Sequence, residues 1–203
     1  MASNQDGATE SDDAAGESAA HGESAAHADR PGEEAPIVQR LGAALRDADA
    51  TVAVAESCTG GLIGTKLTSV PGSSDYFDRS LVTYAYDAKR QLLGVTREAL
   101  DERGAVSEPV ARQMARGVRD TSDTTWGVGV TGVAGPSGGT EETPVGTVYV
   151  GVAYAGPWGS ESSYATVERY EFDGDRAEIR DAAARRALAD LFAEVETAAE
   201  RSA

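Results

Sequence analysis

The chain has 203 residues, 34 acidic against 18 basic, and a formal net charge of −16. That length suits one domain with a core of its own and leaves little for a second, and that charge disfavours a nucleic-acid backbone or an anionic lipid surface as a partner. A single cysteine, Cys58, excludes an intramolecular disulfide, and with no apolar run approaching ~18 residues and no apolar leader segment the expected compartment is the cytoplasm.

Residues 1–35 differ in kind from the rest. They carry nine acids and one Arg, with no Val, Ile, Leu or aromatic residue. The unit Gly16–His21 recurs as Gly22–His27. Such a segment cannot bury enough apolar surface to offset its ordering entropy, so it reads as a disordered acidic tail ahead of a folded domain over 36–198. His21 and His27, six residues apart, read as a slipped low-complexity repeat and not as a metal site.

Beyond the tail, helix and strand signals alternate. Ile37, Leu41, Ala44, Leu45 and Ala48 have helical spacing after Pro36. Thr51–Glu56 is a short apolar run, hence a buried strand, and Cys58-Thr59-Gly60-Gly61 leads into a helix that Pro71-Gly72 stops. A second strand covers 79–85, and a helical patch over 87–93 ends at Gly94. Thr96 caps a short helix ending at Gly104, and Ser107-Glu108-Pro109 starts another that runs to Asp120. A third strand covers 125–131. Strands over 145–155 and 163–172, joined through Gly156-Pro157-Trp158-Gly159, form a hairpin. Asp175 begins a long helix with Ile179, Ala183, Ala187, Leu188, Leu191, Phe192 and Val195 on its apolar face. The order predicts a three-layer α/β/α sandwich on a mixed five-stranded sheet. The three strands linked by helical crossovers are parallel, and the hairpin turns one strand antiparallel.

The folded part contains no His, which rules out a Ser-His-Asp triad, a Cys-His pair and a His/Cys zinc site there. A nucleophile would need Lys, a carboxylate or Tyr as its base. Ser57 stands past the end of the first strand and before a helix N-terminus, where α/β sheets bind ligands. The amides of Thr59, Gly60 and Gly61 can hold an oxyanion or a phosphate there; equally, Ser57 merely caps the helix. Cys58 is a rival nucleophile, or a small residue packed under the turn. Only Lys66 and Lys89 are Lys, the other 16 cations being Arg. Lys66, nine residues along the same helix, lies roughly 13 Å up the axis, too far to serve Ser57. Lys89 heads a short helix near the same sheet edge, and unlike Arg a Lys can lose its proton. The stretch Thr131–Thr140 follows the third strand and presents Gly132, Gly135, Gly138 and Gly139 to a ligand, or simply connects two strands. Gly127–Gly132 matches G-x-G-x-x-G but lies inside a strand with no helix after it, so no dinucleotide site is inferred. The acid excess with scarce Lys suggests a proteome adapted to a salty cytoplasm; high-GC codon usage leaves a similar mark.

Several blocks together resemble one family. Ala55-Glu56-Ser57-Cys58-Thr59-Gly60-Gly61, Val70-Pro71-Gly72-Ser73-Ser74, Leu92-Leu93-Gly94-Val95, Gly104-Ala105-Val106-Ser107-Glu108, Thr131–Pro136, Pro144–Tyr149 and Phe172-Asp173-Gly174-Asp175-Arg176 are similar, in order, to the CinA C-terminal domain family of nicotinamide-nucleotide amidohydrolases. The resemblance covers about 37–195. It implies hydrolysis of nicotinamide mononucleotide to nicotinate mononucleotide and ammonia, with no metal or other cofactor, in a homodimer. It implies a Ser-Lys arrangement, carried onto Ser57 and Lys89 with Tyr84 beside them. Glu56, Thr59, Gly60, Gly61 and Thr131, the glycines of the following loop, and Arg176 become expected substrate contacts. One departure stands out: the family's Tyr-Ser-Asn-Glu-Ala-Lys reads Tyr84-Ala85-Tyr86-Asp87-Ala88-Lys89 here. A non-catalytic nucleotide-binding module of the CinA type, or an interaction domain working through its acidic tail, are the alternatives.

Overall fold

The computed structural model describes residues 35–202; the acidic tail and both His lie outside the described residues. Chain order is α1 (Ile37–Asp47), β1 (Val52–Glu56), α2 (Leu62–Thr68), β2 (Phe77–Val82), α3 (Tyr86–Leu93), α4 (Arg97–Arg103), α5 (Glu108–Ser122), β3 (Trp126–Gly132), β4 (Thr147–Tyr154), β5 (Tyr164–Glu171) and α6 (Arg176–Ser202). The five strands form one sheet in the order β2-β1-β3-β4-β5. β1 is parallel to both neighbours, and β4 runs antiparallel to β3 and β5. One reversed strand in a mixed α/β sheet is the expected architecture.

The period of two along a strand decides which layer each residue serves. Val52 and Val54 on β1, and Trp126, Val128 and Val130 on β3, pack with Leu41 and Leu45 of α1, Ile63 and Leu67 of α2, and Ile179, Leu188 and Leu191 of α6. Ala53 and Ala55 face the other way, onto Leu93, Leu100, Val110, Met114 and Val118 around α3, α4 and α5. That second face is lined by small residues because a helix backbone lies almost on the strands. A Cβ at Gly129 would stand 2.5 Å from Ala115 N and 2.7 Å from Ala111 O, and one at Gly127 would stand 2.2 Å from Ala115 O. Gly151, paired with Gly129 across the ladder, meets Ala111 O in the same way. The first two glycines of the G-x-G-x-x-G match, Gly127 and Gly129, are thus a seat for α5.

Boundaries moved by a few residues. β2 occupies 77–82 and not 79–85, because the chain leaves the sheet after Thr83 N makes a last bond to Glu56 O. α2 begins at Leu62, after a turn over 57–61 in which Gly60 and Gly61 have φ of +60° and +96°. Thr96 caps α4 as expected, its hydroxyl accepting from Ala99 N at 3.2 Å. Ser107 precedes α5, but its hydroxyl turns back to Gly104 O.

Candidate active site

β1 carries Ser57 to the C-terminal mouth of the sheet. The residue continues the parity of Ala53 and Ala55 and so faces the α3 and α5 layer, anchored by Ser57 N donating to Val130 O at 2.9 Å. From that layer comes Lys89, in the first turns of α3, fully buried at 0% exposure beside a Ser57 that is 9% exposed. The Lys89 amine donates to Ser57 Oγ at 3.0 Å, to Thr83 O at 2.6 Å and to Tyr84 O at 3.4 Å. Thr83 itself is held by its N–H on Glu56 O, so the last peptide before the site extends the β1–β2 ladder by one rung.

Burial pushes the Lys89 amine from 10.5 down to about 8. Among the described residues no carboxylate pairs with it. Asp87 is paired with Arg90 at 3.3 Å and is largely exposed. At neutral pH roughly a tenth of the molecules carry a neutral amine, some 300-fold more than at the ordinary value. The backbone carbonyls of Thr83 and Tyr84 orient the nitrogen whichever form it takes.

Glu56, expected as a substrate contact, has a different task. It faces the α2 layer, is fully buried, and accepts four hydrogen bonds: Gly61 N at 2.8 Å, Ile63 N at 3.2 Å and Gly64 N at 2.9 Å, and Ser80 Oγ at 2.7 Å. Four of the free N–H groups of a helix start are the usual vacancy; here one carboxylate fills three of those amide positions and its charge faces the positive end of α2. Both oxygens are therefore committed, and so is the Gly61 amide that was expected to face a ligand. Ser57 does not cap the helix. The Gly60 amide has no hydrogen-bond acceptor among the described residues, the Cys58 and Thr59 amides hydrogen-bond the Cys58 sulfur, and Thr59 Oγ1 is buried without a partner.

Cys58 is 5% exposed, and burial pushes its thiol up to about 12. It is a packed neutral group and does not compete with Ser57 as a nucleophile. Tyr84, expected as a third catalytic group, meets Lys89 only through its main-chain carbonyl; its ring is 64% exposed and its hydroxyl has no partner among the described residues. The strand stops two residues before Tyr84, so its side chain follows neither sheet face. Tyr86 accepts from Ala105 N at 3.3 Å, and Thr131 Oγ1 donates to Ala105 O at 2.7 Å, so the two pin the α4–α5 loop from both sides of one residue. The Thr131 proton is spent on that bond and is not available to a ligand.

The glycine-rich loop after β3 returns directly to β4 at the same mouth. Gly132 and Gly139 are glycines for packing: a Cβ would stand 2.6 Å from Thr147 O and 2.7 Å from Val145 N respectively. Gly138, at φ +94°, has open space around it, and Thr140 N closes the loop on Thr143 O at 3.0 Å. Arg176, in the first turn of α6, donates to Gly135 O at 2.6 Å. Arg180, one turn further, was not expected at the site at all, yet Nη2 and Nε both reach Thr59 O, at 2.8 and 3.3 Å. Its four-residue spacing from Arg176 on a helix was the one available signal.

Among the described residues no helix is long and apolar enough to cross a membrane, and no cluster of His, Cys, Asp and Glu suits a metal ion.

The site and fold have relatives. The family model of the CinA C-terminal domain matches residues 34–195. A CinA-like protein of Salinibacter ruber is 55% identical over 136 residues, 67% of this chain and 31% of the relative. One from Nostoc is 49% identical over 140 residues, 69% of this chain and 32% of the relative. The matched region thus spans about a third of the length of these curated relatives. Among solved structures, a competence/damage inducible protein from Agrobacterium tumefaciens superposes with a TM-score of 0.72 at 41% identity, covering 77% of this chain and 92% of that one. A CinA superfamily protein from Klebsiella pneumoniae gives 0.74 at 30% identity, covering 79% and 96%. The chain belongs to the CinA C-terminal domain family.

Proposed function

We propose that this domain is a serine amidohydrolase acting on the carboxamide of nicotinamide mononucleotide, with Ser57 as nucleophile and Lys89 as its base. The observation that carries the reading is the buried Lys89 amine, 3.0 Å from Ser57 Oγ, lowered to about 8 and with no carboxylate paired to it among the described residues. A neutral amine has two N–H groups and one lone pair. With the N–H groups on Thr83 O and Tyr84 O, the lone pair is left for the Ser57 hydroxyl proton.

Ser57 Oγ attacks the carboxamide carbon as its proton passes to Lys89 Nζ. The carbonyl oxygen becomes an oxyanion against the Gly60 amide, which has no acceptor among the described residues. Collapse breaks the C–N bond, and the leaving nitrogen takes the proton back from Lys89 and departs as ammonia. Water then loses a proton to the same amine and attacks the Ser57 ester; the amine returns that proton to Ser57 Oγ as the carboxylic acid leaves, and the acid gives its own proton to solvent. Arg176 and the loop it holds at Gly135 are the proposed contacts for the nucleotide part.

Ammonia release from the mononucleotide tests this. It is expected from the wild-type chain and is expected to vanish in Ser57→Ala and Lys89→Ala; undiminished release in either variant removes that residue from the mechanism. The rival reading, a module that binds the nucleotide without hydrolysing it, is motivated by Tyr86, and calorimetry showing binding with no ammonia selects it. We also propose a cytoplasmic homodimer, checked by sedimentation, whose acidic surface gains stability between low and molar salt.

A further inference from the structure

The oxyanion-binding arrangement proposed above depends on a peptide plane that the nucleophile turn fixes only weakly, through one long bond from Leu62 N to Thr59 O at 3.4 Å. In a trans peptide the carbonyl and the N–H of the next residue point in opposite directions. The Thr59 carbonyl and the Gly60 amide belong to one such plane. Gly60 sits at φ +60°, a region glycine enters without penalty, and glycine is equally free to take the flipped plane. The Gly60 N–H has no acceptor among the described residues to hold it.

The shorter hold on the plane, beside the long Leu62 bond, is also on the carbonyl side. Arg180 brings Nη2 to 2.8 Å and Nε to 3.3 Å from Thr59 O, 121 residues away in sequence. The guanidinium also stands over the next residue, 3.0 Å from where a Cβ of Gly60 would be. Arg180 forms no salt bridge among the described residues, although Asp181 beside it is paired with both Lys66 and Arg185. Its hydrogen bonds go instead to one carbonyl. A planar fork of donors on one acceptor fixes direction as well as distance.

We propose that Arg180 is a positioning residue: by clamping the Thr59 carbonyl it locks the Thr59–Gly60 peptide in the orientation that turns the Gly60 N–H toward the oxygen of the Ser57 adduct. This rests on the amidohydrolase reading. It ties the geometry of the nucleophile turn to the docking of α6.

The test compares wild type, Arg180→Ala and Arg180→Lys in the full chain, by steady-state ammonia release and by the Gly60 amide resonance of the 15N-labelled protein. Losing one oxyanion donor costs about 10²-fold in rate. Arg180→Ala is therefore expected to lower kcat by about that factor with KM within about threefold, and Arg180→Lys, with one ammonium for the same carbonyl, to recover part of it. The Gly60 cross-peak is expected to be single in wild type and to broaden or double in Arg180→Ala. A rise in KM with kcat unchanged would make Arg180 a substrate contact and overturn the proposal, as would unchanged kinetics. If the wild-type chain releases no ammonia, the amidohydrolase reading fails by itself. The Gly60 resonance then decides on Arg180: a peak unmoved in Arg180→Ala overturns the clamp.

Discussion

Replacing Lys89 by Met keeps the length of the side chain and removes the amine. The variant loses three contacts, and two opposed effects set the offset in its absolute stability: the Thr83 carbonyl goes unsatisfied, while a buried ionisable group disappears. The pH dependence is free of that offset. In the wild-type chain the amine titrates near 8 folded and near 10.5 unfolded. Between those values the unfolded chain binds more protons, so the Lys89 contribution makes wild type more stable as pH rises through that window. Working the linkage from pH 7 to pH 10 gives about 2.5 kcal/mol gained by wild type relative to Lys89→Met, with every other titration cancelling between the two. Urea unfolding of both proteins at the two pH values measures the difference, and kcat/KM of wild type should rise over the same range with a midpoint near 8. Equal stability differences at pH 7 and pH 10, or a rate independent of pH from 6 to 9, would refute a depressed amine.

Glu56→Gln puts an amide NH2 group where only donors converge; it should destabilise the fold by about 2–4 kcal/mol, read as a fall in the urea midpoint with an unchanged slope. Gly129→Ala drives a Cβ into the α5 backbone and should cost about 3 kcal/mol or more, or prevent folding, seen in the same titration. Cys58, with its thiol up at about 12, should resist iodoacetamide at pH 8 in the folded chain and react once the chain is unfolded in urea, with mass spectrometry as the readout.

The sheet was legible because its signals are local. Short β-branched runs such as Thr147–Val152 and the turn residues at 156–159 announce a hairpin whatever surrounds them, and the helical connections before β2 and β3 enforce parallel strands. The Ser57 position followed from its place between the end of the first strand and a helix start, whereas its pairing with Lys89 came from the resemblance, since no spacing rule links residues 32 apart. Glu56 was misread because sequence shows a carboxylate beside a nucleophile and cannot show that the two face opposite layers with a helix start waiting on one side. The Thr83 carbonyl that holds the amine belongs to the backbone, so no residue type announces it. Arg180 had only its spacing from Arg176 to mark it, for a third reason: its partner is a carbonyl brought near only when α6 docks.

The single reversed strand has a practical corollary. β4 carries the chain away from the mouth, so the β4–β5 turn over 155–163, with Trp158 fully exposed at its tip, lies at the far end of the sheet. Eight strand residues at about 3.3 Å each put some 25 Å between that tip and the reacting centre. A fluorophore, an affinity tag or a fused domain grafted there is carried on the molecule's blind side, where it reports on or tethers the protein without crowding the chemistry.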